Sequence, residues 1–310
     1  MKKLFVPVLL LFIVLACSSS PVEEENEKVR PVPLADPFIL LHDNVYYAYG
    51  THADNGIEVY VSTDLKNWRF QDIALNKENS YGDRWFWAPE VYYVNGQFYM
   101  YYSAEEHICM ATSDSPAGPF VQKEKKPMLE GEKSIDNSLF IDDDGTPYLF
   151  FVRFNDGNNI WVVELEKDLM TLKAETMHHC ISVSQPWEEV WPRVNEGPIV
   201  IKHNNKYYMT YSANSYESPM YGIGIATADY IKGEWKKYTD NPALQSPGSL
   251  QGVGHNSIFI DKEGKLRIVF HAHYGSSSVH PRCMYITTAS FDAEGRMKIN
   301  PKYTQCLLGQ

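Results

Sequence analysis

The sequence predicts an all-β fold, a five-bladed β-propeller that occupies residues 31–310. One pattern occurs five times: a start residue, two further residues, then an apolar run of three. Each run is followed by a turn containing Asn, Asp or Gly and by a second strand rich in aromatic and β-branched residues, as in β-hairpins. Successive copies lie about 50 to 60 residues apart, which is the size of a four-stranded propeller blade.

The five hairpins begin with related hexapeptides. They are DPFILL from Asp36, APEVYY from Ala88, DNSLFI from Asp136, EGPIVI from Glu196 and HNSIFI from His255. A further strand-like stretch follows each hairpin, and four of these stretches contain a similar ending: STD, TSD, EKD or TAD. A β-sandwich with regular hairpins is the alternative. It does not require a common start position, so the shared spacing favours the propeller.

Composition supports one large domain and excludes some partners. Of the 310 residues, 44% are hydrophobic and 14% are aromatic, enough for a substantial core. The net charge is -11 with scattered charges, so we expect no nucleic-acid partner. The four cysteines after residue 17 show neither a CxxC motif nor metal-site spacing, and we expect buried free thiols.

The N-terminus predicts export and anchoring. Residues 1–17 read as a lipoprotein signal peptide: two lysines precede an apolar run from Leu4 to Ala16, which is too short to span a membrane comfortably. VLAC resembles a bacterial lipobox and would make Cys17 the lipidated residue; an ordinary signal peptide is the alternative. Residues 18–30 predict an acidic flexible tether, similar to surface-export signals of some Gram-negative lipoproteins. We expect a lipid anchor in a bacterial outer membrane, on its periplasmic side or at the cell surface.

The start residues of the hairpins predict the functional site. The first strand of every propeller blade lines the axis, so Asp36, Asp136, Glu196 and His255 should meet at one mouth. Turn capping explains one such residue better than four. Two carboxylates can hydrolyse a glycosidic bond, one as the acid and the other as base or nucleophile, and a third can raise the pKa of the acid. Binding of a divalent metal is the alternative.

Aromatic residues at the same mouth favour a sugar ligand. The segment YGDRWFWAPE places Trp85, Phe86 and Trp87 directly before the second hairpin. Apolar faces of sugars stack on such rings. We expect Trp87 to contact the substrate, while packing in the core is the alternative for each of the three.

The ordered motifs ADP, WAPE, IDNS, EGP and GHNS resemble glycoside hydrolase family 43 over nearly the whole chain after the tether. The resemblance implies a five-bladed propeller that cleaves arabinose- or xylose-containing polysaccharides with inversion. It implies that Asp36 is the general base, that Glu196 is the general acid, and that Asp136 orients the acid and tunes its pKa.

The resemblance also implies two further site residues. His255 would lie beside a central ion, usually calcium, in an indirect role, because imidazole is a poor calcium ligand. Arg282, in HPRCMYI, would reach the active site and pair with Asp136 or with a sugar hydroxyl. A surface ion pair is the alternative for Arg282.

We therefore expect hydrolysis by single displacement, with the carboxyl groups of Asp36 and Glu196 roughly 6.5–9.5 Å apart. The expected substrate is an oligo- or polysaccharide that carries a terminal α-L-arabinofuranosyl or β-D-xylosyl residue, because two bulky loops favour exo-cleavage. Galactofuranosidase and endo-arabinanase activities are alternatives within the family, and non-catalytic glycan binding is an alternative outside it. A retaining fructan-cleaving enzyme is disfavoured because PLADPFIL replaces a WMNDPNG-like start. The sequence does not predict the oligomeric state.

Overall fold

The computed structural model describes Met1, residues 30–190 and residues 193–309, and it confirms the five-bladed β-propeller. Five mainly antiparallel sheets form the blades. The predictions for the signal peptide, for Cys17 and for the tether fall outside the described residues, apart from Met1 and Arg30, and stay predictions. In the described part of the chain, no helix has the length and hydrophobicity needed to cross a membrane.

Blades 1 and 2 follow the predicted order of a hairpin and then a further strand. Blade 1 contains β1 (Ala35–His42), β2 (Val45–Thr51), β3 (Gly56–Ser62) and β4 (Asn67–Asn76). Blade 2 contains β5 (Trp87–Val94), β6 (Gln97–Ala104) and β7 (His107–Ser113). A bridge between Thr112 and Val121 extends blade 2 at its outer edge.

The remaining three blades repeat this order. Blade 3 contains β8 (Ser134–Ile141), β9 (Pro147–Phe154), β10 (Asn158–Glu164) and β11 (His178–Ile181). Blade 4 contains β12 (Asn195–His203), β13 (Lys206–Ala213), β14 (Gly222–Ala228) and β15 (Lys236–Lys237). Blade 5 contains β16 (Gly254–Ile260), β17 (Leu266–Ala272), β18 (Cys283–Phe291) and β19 (Met297–Ile299). Short 3-10 helices lie at Lys77–Asn79, Ala174–Thr176 and Pro186–Glu188.

Segments near the first and the last residues of the propeller domain join blade 5 to blade 1. Strand β20 (Thr304–Gln305) pairs with β18, and β21 (Leu307–Leu308) pairs in parallel with β4. The Val32 N–H donates to the carbonyl of Cys306 at 2.9 Å, and the Val32 carbonyl accepts from the N–H of Met284 at 3.0 Å. Backbone hydrogen bonds therefore close the ring of blades.

The hydrophobic core consists of five clusters, each between two neighbouring blades. Successive residues of a strand point to opposite faces of the sheet, so one strand contributes to two clusters. In β6, Met100 and Tyr102 pack toward blade 1, whereas Tyr101 packs toward blade 3. Burial on both faces explains why the second strands are apolar at most positions. As expected, the cysteines in the described residues are buried and unpaired: Cys109, Cys180, Cys283 and Cys306.

Each first strand carries a β-bulge near its start, where two residues lie opposite one on the partner strand. The first bulge residue has a positive φ, between 44° and 58°, in every blade. This left-handed conformation costs non-glycine residues about 1–2 kcal/mol, so its recurrence marks a position that the fold fixes firmly. The five residues are Asp36, Ala88, Asp136, Gly197 and His255.

The bulge corrects the predicted alignment of blade 4. The sequence pattern places Glu196 at the shared start position, but Gly197 is the bulge residue and Glu196 precedes it. A Cβ atom on Gly197 would lie 3.1 Å from the imidazole of His255, which explains why a glycine occupies this position. The prediction that four ionisable residues share one repeat position is therefore wrong for Glu196. Its structural counterparts are Ala35, Trp87, Ile135 and Gly254.

The bulges also link the blades to one another. The backbone N–H of the first bulge residue donates to a side chain of the preceding blade. In four blades the acceptor is the last or second-to-last residue of the second strand. The pairs are Ala88 N to Thr51 Oγ1 (3.0 Å), Asp136 N to Ser103 Oγ (3.0 Å), His255 N to Ser212 Oγ (2.7 Å) and Asp36 N to His271 Nδ1 (3.0 Å). Blade 3 has Val152 at that position, which cannot accept. The Gly197 N–H instead donates to Asp136 Oδ2 at 3.1 Å.

Candidate active site

A cavity of about 310 Å³ lies at the end of the propeller where the first strands begin. All six residues predicted for catalysis, substrate binding or an ion line this cavity: Asp36, Trp87, Asp136, Glu196, His255 and Arg282. A cavity of about 570 Å³ lies near the opposite ends of the first strands, but no carboxylate from the described part of the chain lines it. The smaller cavity is therefore the one with the chemistry expected of the site.

Asp36 is buried, with 8% of its surface exposed, and it is surrounded by positive charge. Its Oδ1 accepts from Arg282 Nη1 at 2.8 Å, and its Oδ2 accepts from Thr51 Oγ1 at 2.6 Å. The ring of His255 lies 3.5 Å from Oδ1. Burial alone would raise the pKa of Asp36, but the charges of Arg282 and His255 hold it well below its usual range. Asp36 is consequently an ionised carboxylate at neutral pH.

Arg282 reaches the cavity from blade 5, but its charge partner differs from the predicted one. The resemblance suggests a pair with Asp136 or with a sugar hydroxyl, whereas the guanidinium bonds to Asp36. The Arg282 guanidinium also lies 4.4 Å from the ring centroid of Tyr216, a cation–π contact. Arg282 Nε is buried and has no hydrogen-bond partner among the residues that the structure describes. The surface ion pair is excluded, because the side chain is only 10% exposed.

His271 is a site residue that the sequence reasoning missed. Its Nδ1 accepts the backbone N–H of Asp36, so the ring is neutral with its proton on Nε2. Burial, followed by the charge of Arg282, lowers the pKa of His271 to about 3, which agrees with a neutral ring. The 3.3 Å approach of Nδ1 to Asp36 Oδ1 is therefore not an ion pair.

Glu196 lies in an environment opposite to that of Asp36. Its Oε1 accepts from Tyr221 Oη at 2.7 Å, and its Oε2 accepts from Asn158 Nδ2 at 3.2 Å. Burial, followed by the negative charge of Asp136, raises the pKa of Glu196 to about 7. A large fraction of Glu196 therefore carries a proton near neutral pH. One cavity thus holds a carboxylate that stays ionised at neutral pH and a carboxyl group that is about half protonated there.

Asp136 lies between these two environments. It is 6% exposed, and its Oδ2 accepts the N–H of Gly197, the residue next to Glu196. Burial raises the pKa of Asp136; the charge of His255 opposes this shift and the charge of Asp36 adds to it. Asp136 thus acts on Glu196 in two ways, through its charge and through a hydrogen bond to the adjoining backbone.

Tyr221 connects the two ends of the site. Its hydroxyl donates to Glu196, and its ring stacks on His271, with ring centroids 5.7 Å apart and an interplanar angle of 13°. His271 in turn accepts the backbone N–H of Asp36. The positions of the two carboxyl groups are therefore coupled through a single chain of contacts.

The structure tests how well His255 fits a calcium site. Burial alone would lower the pKa of His255, but the charges of Asp36, Asp136 and Glu196 raise it above its usual value. Within the described ranges, no three His, Cys, Asp or Glu side chains are grouped so as to hold a metal ion. One imidazole does not make a calcium shell, which consists of six to eight oxygen ligands. The protein side chains alone therefore do not fit calcium, and the ion stays a prediction.

The three aromatic residues of blade 2 have different environments. Phe86 is 2% exposed and packs in the core, whereas Trp87 lines the cavity. Trp85 is 44% exposed and lies nearly parallel to Trp87, with centroids 5.8 Å apart and an interplanar angle of 17°. The Arg84 guanidinium lies 4.3 Å from the centroid of Trp85. Trp87 is thus held by a stacked neighbour where a ligand can reach it.

Glu90 is a further carboxyl group that the sequence reasoning missed. It lies two residues after the bulge of blade 2, and it accepts a hydrogen bond from the hydroxyl of Tyr92. Burial raises the pKa of Glu90 to about 8, and the charges of His255 and Asp136 also act on it. Glu90 is therefore mainly neutral, and it is electrostatically coupled to the site.

One of the site residues that the sequence reasoning missed, His271, has a signal in the sequence. The second-to-last residues of the second strands in blades 2, 4 and 5 are aligned and can form hydrogen bonds: Ser103, Ser212 and His271. This alignment identifies His271 as the acceptor for the next bulge. Tyr221 and Asn158 have no such signal, because they lie on third strands or in loops outside the repeated hexapeptides.

Comparisons with known proteins agree on one family. A family model described as Glycosyl hydrolases family 43 matches residues 28–297. A β-D-galactofuranosidase of Aspergillus niger is 28% identical, over 84% of this chain and 79% of its own length. An extracellular exo-α-(1→5)-L-arabinofuranosidase of Cellvibrio japonicus is 24% identical, over 91% of this chain and 90% of its own length.

A solved structure extends the similarity to three dimensions. It is described as an endo-1,4-β-xylanase of Bacteroides thetaiotaomicron, and it superposes with a TM-score of 0.88 at 46% sequence identity. The match covers 91% of this chain and 99% of the other. Both chains therefore share one architecture over essentially the whole propeller.

Proposed function

Because this chain belongs to glycosyl hydrolases family 43 and therefore hydrolyses O-glycosyl bonds of oligo- or polysaccharides, we propose that it removes terminal pentosyl residues with inversion. The proposed residues are α-L-arabinofuranosyl or β-D-xylosyl. The observation that carries the mechanism is the division of protonation states in one cavity. The pKa of Asp36 is held well below its usual range, whereas burial and Asp136 raise the pKa of Glu196 to about 7, so Glu196 keeps a proton on a large fraction of molecules near neutral pH.

Asp36 is the proposed general base. An inverting hydrolase needs a carboxylate that removes a proton from the attacking water. Arg282 and His255 keep Asp36 ionised, and Thr51 and Arg282 fix its orientation through hydrogen bonds to both oxygens. As the water attacks the anomeric carbon, its proton passes to a carboxylate oxygen of Asp36.

Glu196 is the proposed general acid. It donates its proton to the glycosidic oxygen as the bond to the anomeric carbon breaks, so the sugar chain leaves as a neutral alcohol. Tyr221 and Asn158 each donate to one oxygen of Glu196 and orient the carboxyl group. Asp136 raises the pKa of this acid and bonds to the backbone beside it, which makes it the proposed positioning and tuning residue.

Substrate contacts are proposed for two further residues. Trp87 presents an aromatic ring on the cavity wall, which suits the apolar face of a sugar. Arg282 lines the cavity, and the N–H groups of its guanidinium can donate to a sugar hydroxyl.

The choice of a pentose is supported by the relatives, whose names include an exo-acting arabinofuranosidase and a xylanase. Cleavage of β-D-galactofuranosides is a second candidate, since the Aspergillus niger relative carries that name. Glycan binding without catalysis is disfavoured, because a binding site has no need for carboxyl groups in opposite protonation states.

A panel of p-nitrophenyl glycosides tests the proposal. It contains the α-L-arabinofuranoside, the β-D-xyloside and the β-D-galactofuranoside, and proton NMR follows the anomer that is first released. Release of a pentose with inverted configuration supports the proposal. Release of galactofuranose alone favours the second candidate, and a product with retained configuration rules out the single displacement.

The pH dependence of kcat/KM should be asymmetric. Activity requires protonated Glu196, so it should fall as the pH rises through about 7. Activity also requires ionised Asp36, whose pKa is held well below its usual range by Arg282 and His255. Activity should therefore persist on the acid side down to the pH where the protein unfolds or Asp36 is protonated. A pH–rate profile from pH 3 to 9 on an oligosaccharide, whose leaving group requires a proton, measures both limbs. Full activity at pH 9 would contradict the role of Glu196.

Tyr221→Phe should move the basic limb of that profile upward. The hydroxyl of Tyr221 stabilises the ionised form of Glu196, so its loss raises the pKa of the acid, by about half to one pH unit. Tyr101→Phe is a matched control, because Tyr101 is a buried tyrosine that bonds to the carbonyl of Leu169 outside the cavity. A downward shift in Tyr221→Phe, or an equal shift in both variants, would contradict the contact.

Anchoring and ion binding are proposed from the sequence alone. We propose that Cys17 carries a lipid that holds the protein at an outer membrane. No step of the mechanism above depends on that anchor or on calcium near His255.

A further inference from the structure

A buried ion pair lies next to the segment that carries the proposed general acid, and the mechanism above does not use it. Lys237 Nζ lies 2.7 Å from both carboxylate oxygens of Glu188, and the two side chains are 7% and 0% exposed. The residues that line the catalytic cavity include neither of them. Burial removes the hydration of both charges, so their other hydrogen bonds show what the pair holds in place.

Lys237 joins segments that lie far apart in the sequence. It stands on β15, the outermost strand of blade 4, and donates to the carbonyl of Ser182 at 2.7 Å and to Asn195 Oδ1 at 2.9 Å. Ser182 follows β11 of blade 3, Glu188 ends a 3-10 helix, and Asn195 is the first residue of β12. One ammonium group thus fixes the innermost strand of blade 4 to the loop that precedes it.

Glu188 holds the same loop through its carboxylate. Its Oε2 accepts the backbone N–H groups of Ser184 and Gln185, at 2.8 and 3.0 Å, and its Oε1 accepts from Tyr211 Oη at 2.6 Å. Tyr211 is fully buried in blade 4, and the centroid of its ring lies 5.1 Å from the Lys237 ammonium. The ion pair is therefore held rigidly between the loop and the core of blade 4.

Asn195 connects the ion pair to the general acid. It is 0% exposed, it directly precedes Glu196, and its backbone pairs with Ala213 of β13. Successive residues of a strand point to opposite faces, so Lys237 holds the strand on one face while Glu196 points to the cavity on the other. The residue after Glu196 is held as well, because the Gly197 N–H donates to Asp136. Glu196 is thus fixed through both of its neighbours in the chain.

We propose that Lys237, held by Glu188, positions the general acid through Asn195, so that the carboxyl group of Glu196 is aimed at the glycosidic oxygen. This inference rests on the proposed function, because it takes Glu196 as the acid. Lys237 and Asn195 are positioning residues, since they act through Glu196. A displacement of about 1 Å can cost a catalytic group about 10² in rate, so loss of the contact should slow the protonation of the leaving group.

Asn195→Leu tests the contact and leaves the ion pair in place. Leucine is close in size to asparagine, but it cannot accept from Lys237. Lys237→Met alone would leave the Glu188 carboxylate buried without its partner and should unfold the protein, so a double variant with Glu188→Gln and Lys237→Met removes both charges together. Gln122→Met is the matched control, because Gln122 is a buried amide, 5% exposed, that accepts the N–H of Tyr81 at 2.7 Å outside the catalytic cavity.

The substrates are an arabino- or xylo-oligosaccharide and the p-nitrophenyl glycoside of the same sugar, with rates expressed per folded molecule. On the oligosaccharide, Asn195→Leu and the double variant should each lower kcat about 10- to 100-fold and change KM less than about threefold. On the aryl glycoside, whose leaving group needs no proton, kcat should fall less than about threefold. Gln122→Met should leave all these values unchanged. Equal losses on both substrates, or no loss on either, would overturn the inference.

Failure of the proposed function gives a different result. If the wild-type protein cleaves neither substrate, the pentosidase assignment is wrong, and the pKa of Glu196 is measured by carboxyl ¹³C NMR, with Glu196→Gln to assign the signal. The hydroxyl of Tyr221 stabilises ionised Glu196, so displacement of Glu196 in Asn195→Leu should raise this pKa, by about half to one pH unit. That rise, absent from Gln122→Met, would support the positioning contact, and an unchanged pKa would overturn it.

Discussion

Replacing Asp36 by asparagine should lower kcat/KM for the preferred glycoside about 10³- to 10⁴-fold. The amide keeps the shape of the side chain but cannot take a proton from water, and loss of a general base costs about 10² to 10⁴ in rate. The variant also leaves the buried charge of Arg282 without its carboxylate partner. Initial rates on the panel substrate measure the first effect, and thermal unfolding measures the second.

Asp261→Asn separates catalysis from stability in this experiment. Asp261 is likewise a buried aspartate, 5% exposed, and it accepts from Arg267 Nε at 2.6 Å in a turn of blade 5 away from the catalytic cavity. Its substitution should destabilise the fold while the rate of the folded protein stays near the wild-type value. If both variants lost the same activity per folded molecule, the loss in Asp36→Asn would not be specific to the active site. That result would contradict the role of Asp36 as the general base.

Glu196→Gln should remove activity selectively, according to the leaving group. A sugar leaving group requires protonation, so kcat on an oligosaccharide should fall about 10²- to 10⁴-fold. The p-nitrophenolate group leaves without a proton, so the loss on the aryl glycoside should stay below about tenfold. Parallel kinetics on the two substrates measure this difference.

The pH profile provides an independent check of the same variant. The basic limb near pH 7 arises from Glu196, so on the oligosaccharide it should be present in the wild-type protein and absent from the residual activity of Glu196→Gln. Equal losses on both substrates, with the basic limb retained, would assign the acid role to a different group.

The fold was predictable because its information is local and repeated. Hairpin turns such as Asn95–Gly96 and Asn204–Asn205 adopt the positive φ that these residues favour, and they recur at blade spacing. The apolar second strands follow from burial on both faces between neighbouring blades. The alignment of blade 4 was wrong by one residue, because an apolar run does not show which residue carries the bulge. The bulge residue is Gly197. A glycine occupies this position because the ring of His255 fills the space that a side chain would need.

The candidate residues were predictable, but their partners were not. Motif positions identified Asp36, Asp136 and Glu196, because they recur with the blades. The contacts of Arg282 with Asp36 and of Asn158 with Glu196 join residues that lie far apart in the chain. No local pattern encodes such pairs, so the sequence suggested a different partner for Arg282 and gave no indication of Asn158.

The sequence by itself determined the family, the five blades and the three carboxyl groups, because each depends on residue type at repeated spacing. Only the tertiary structure decided which carboxyl group stays ionised at neutral pH and which keeps a proton on a large fraction of molecules there. Protonation depends on burial and on charges within a few ångströms. Burial and these charges are set by distances between residues of different blades, which spacing along the chain does not contain.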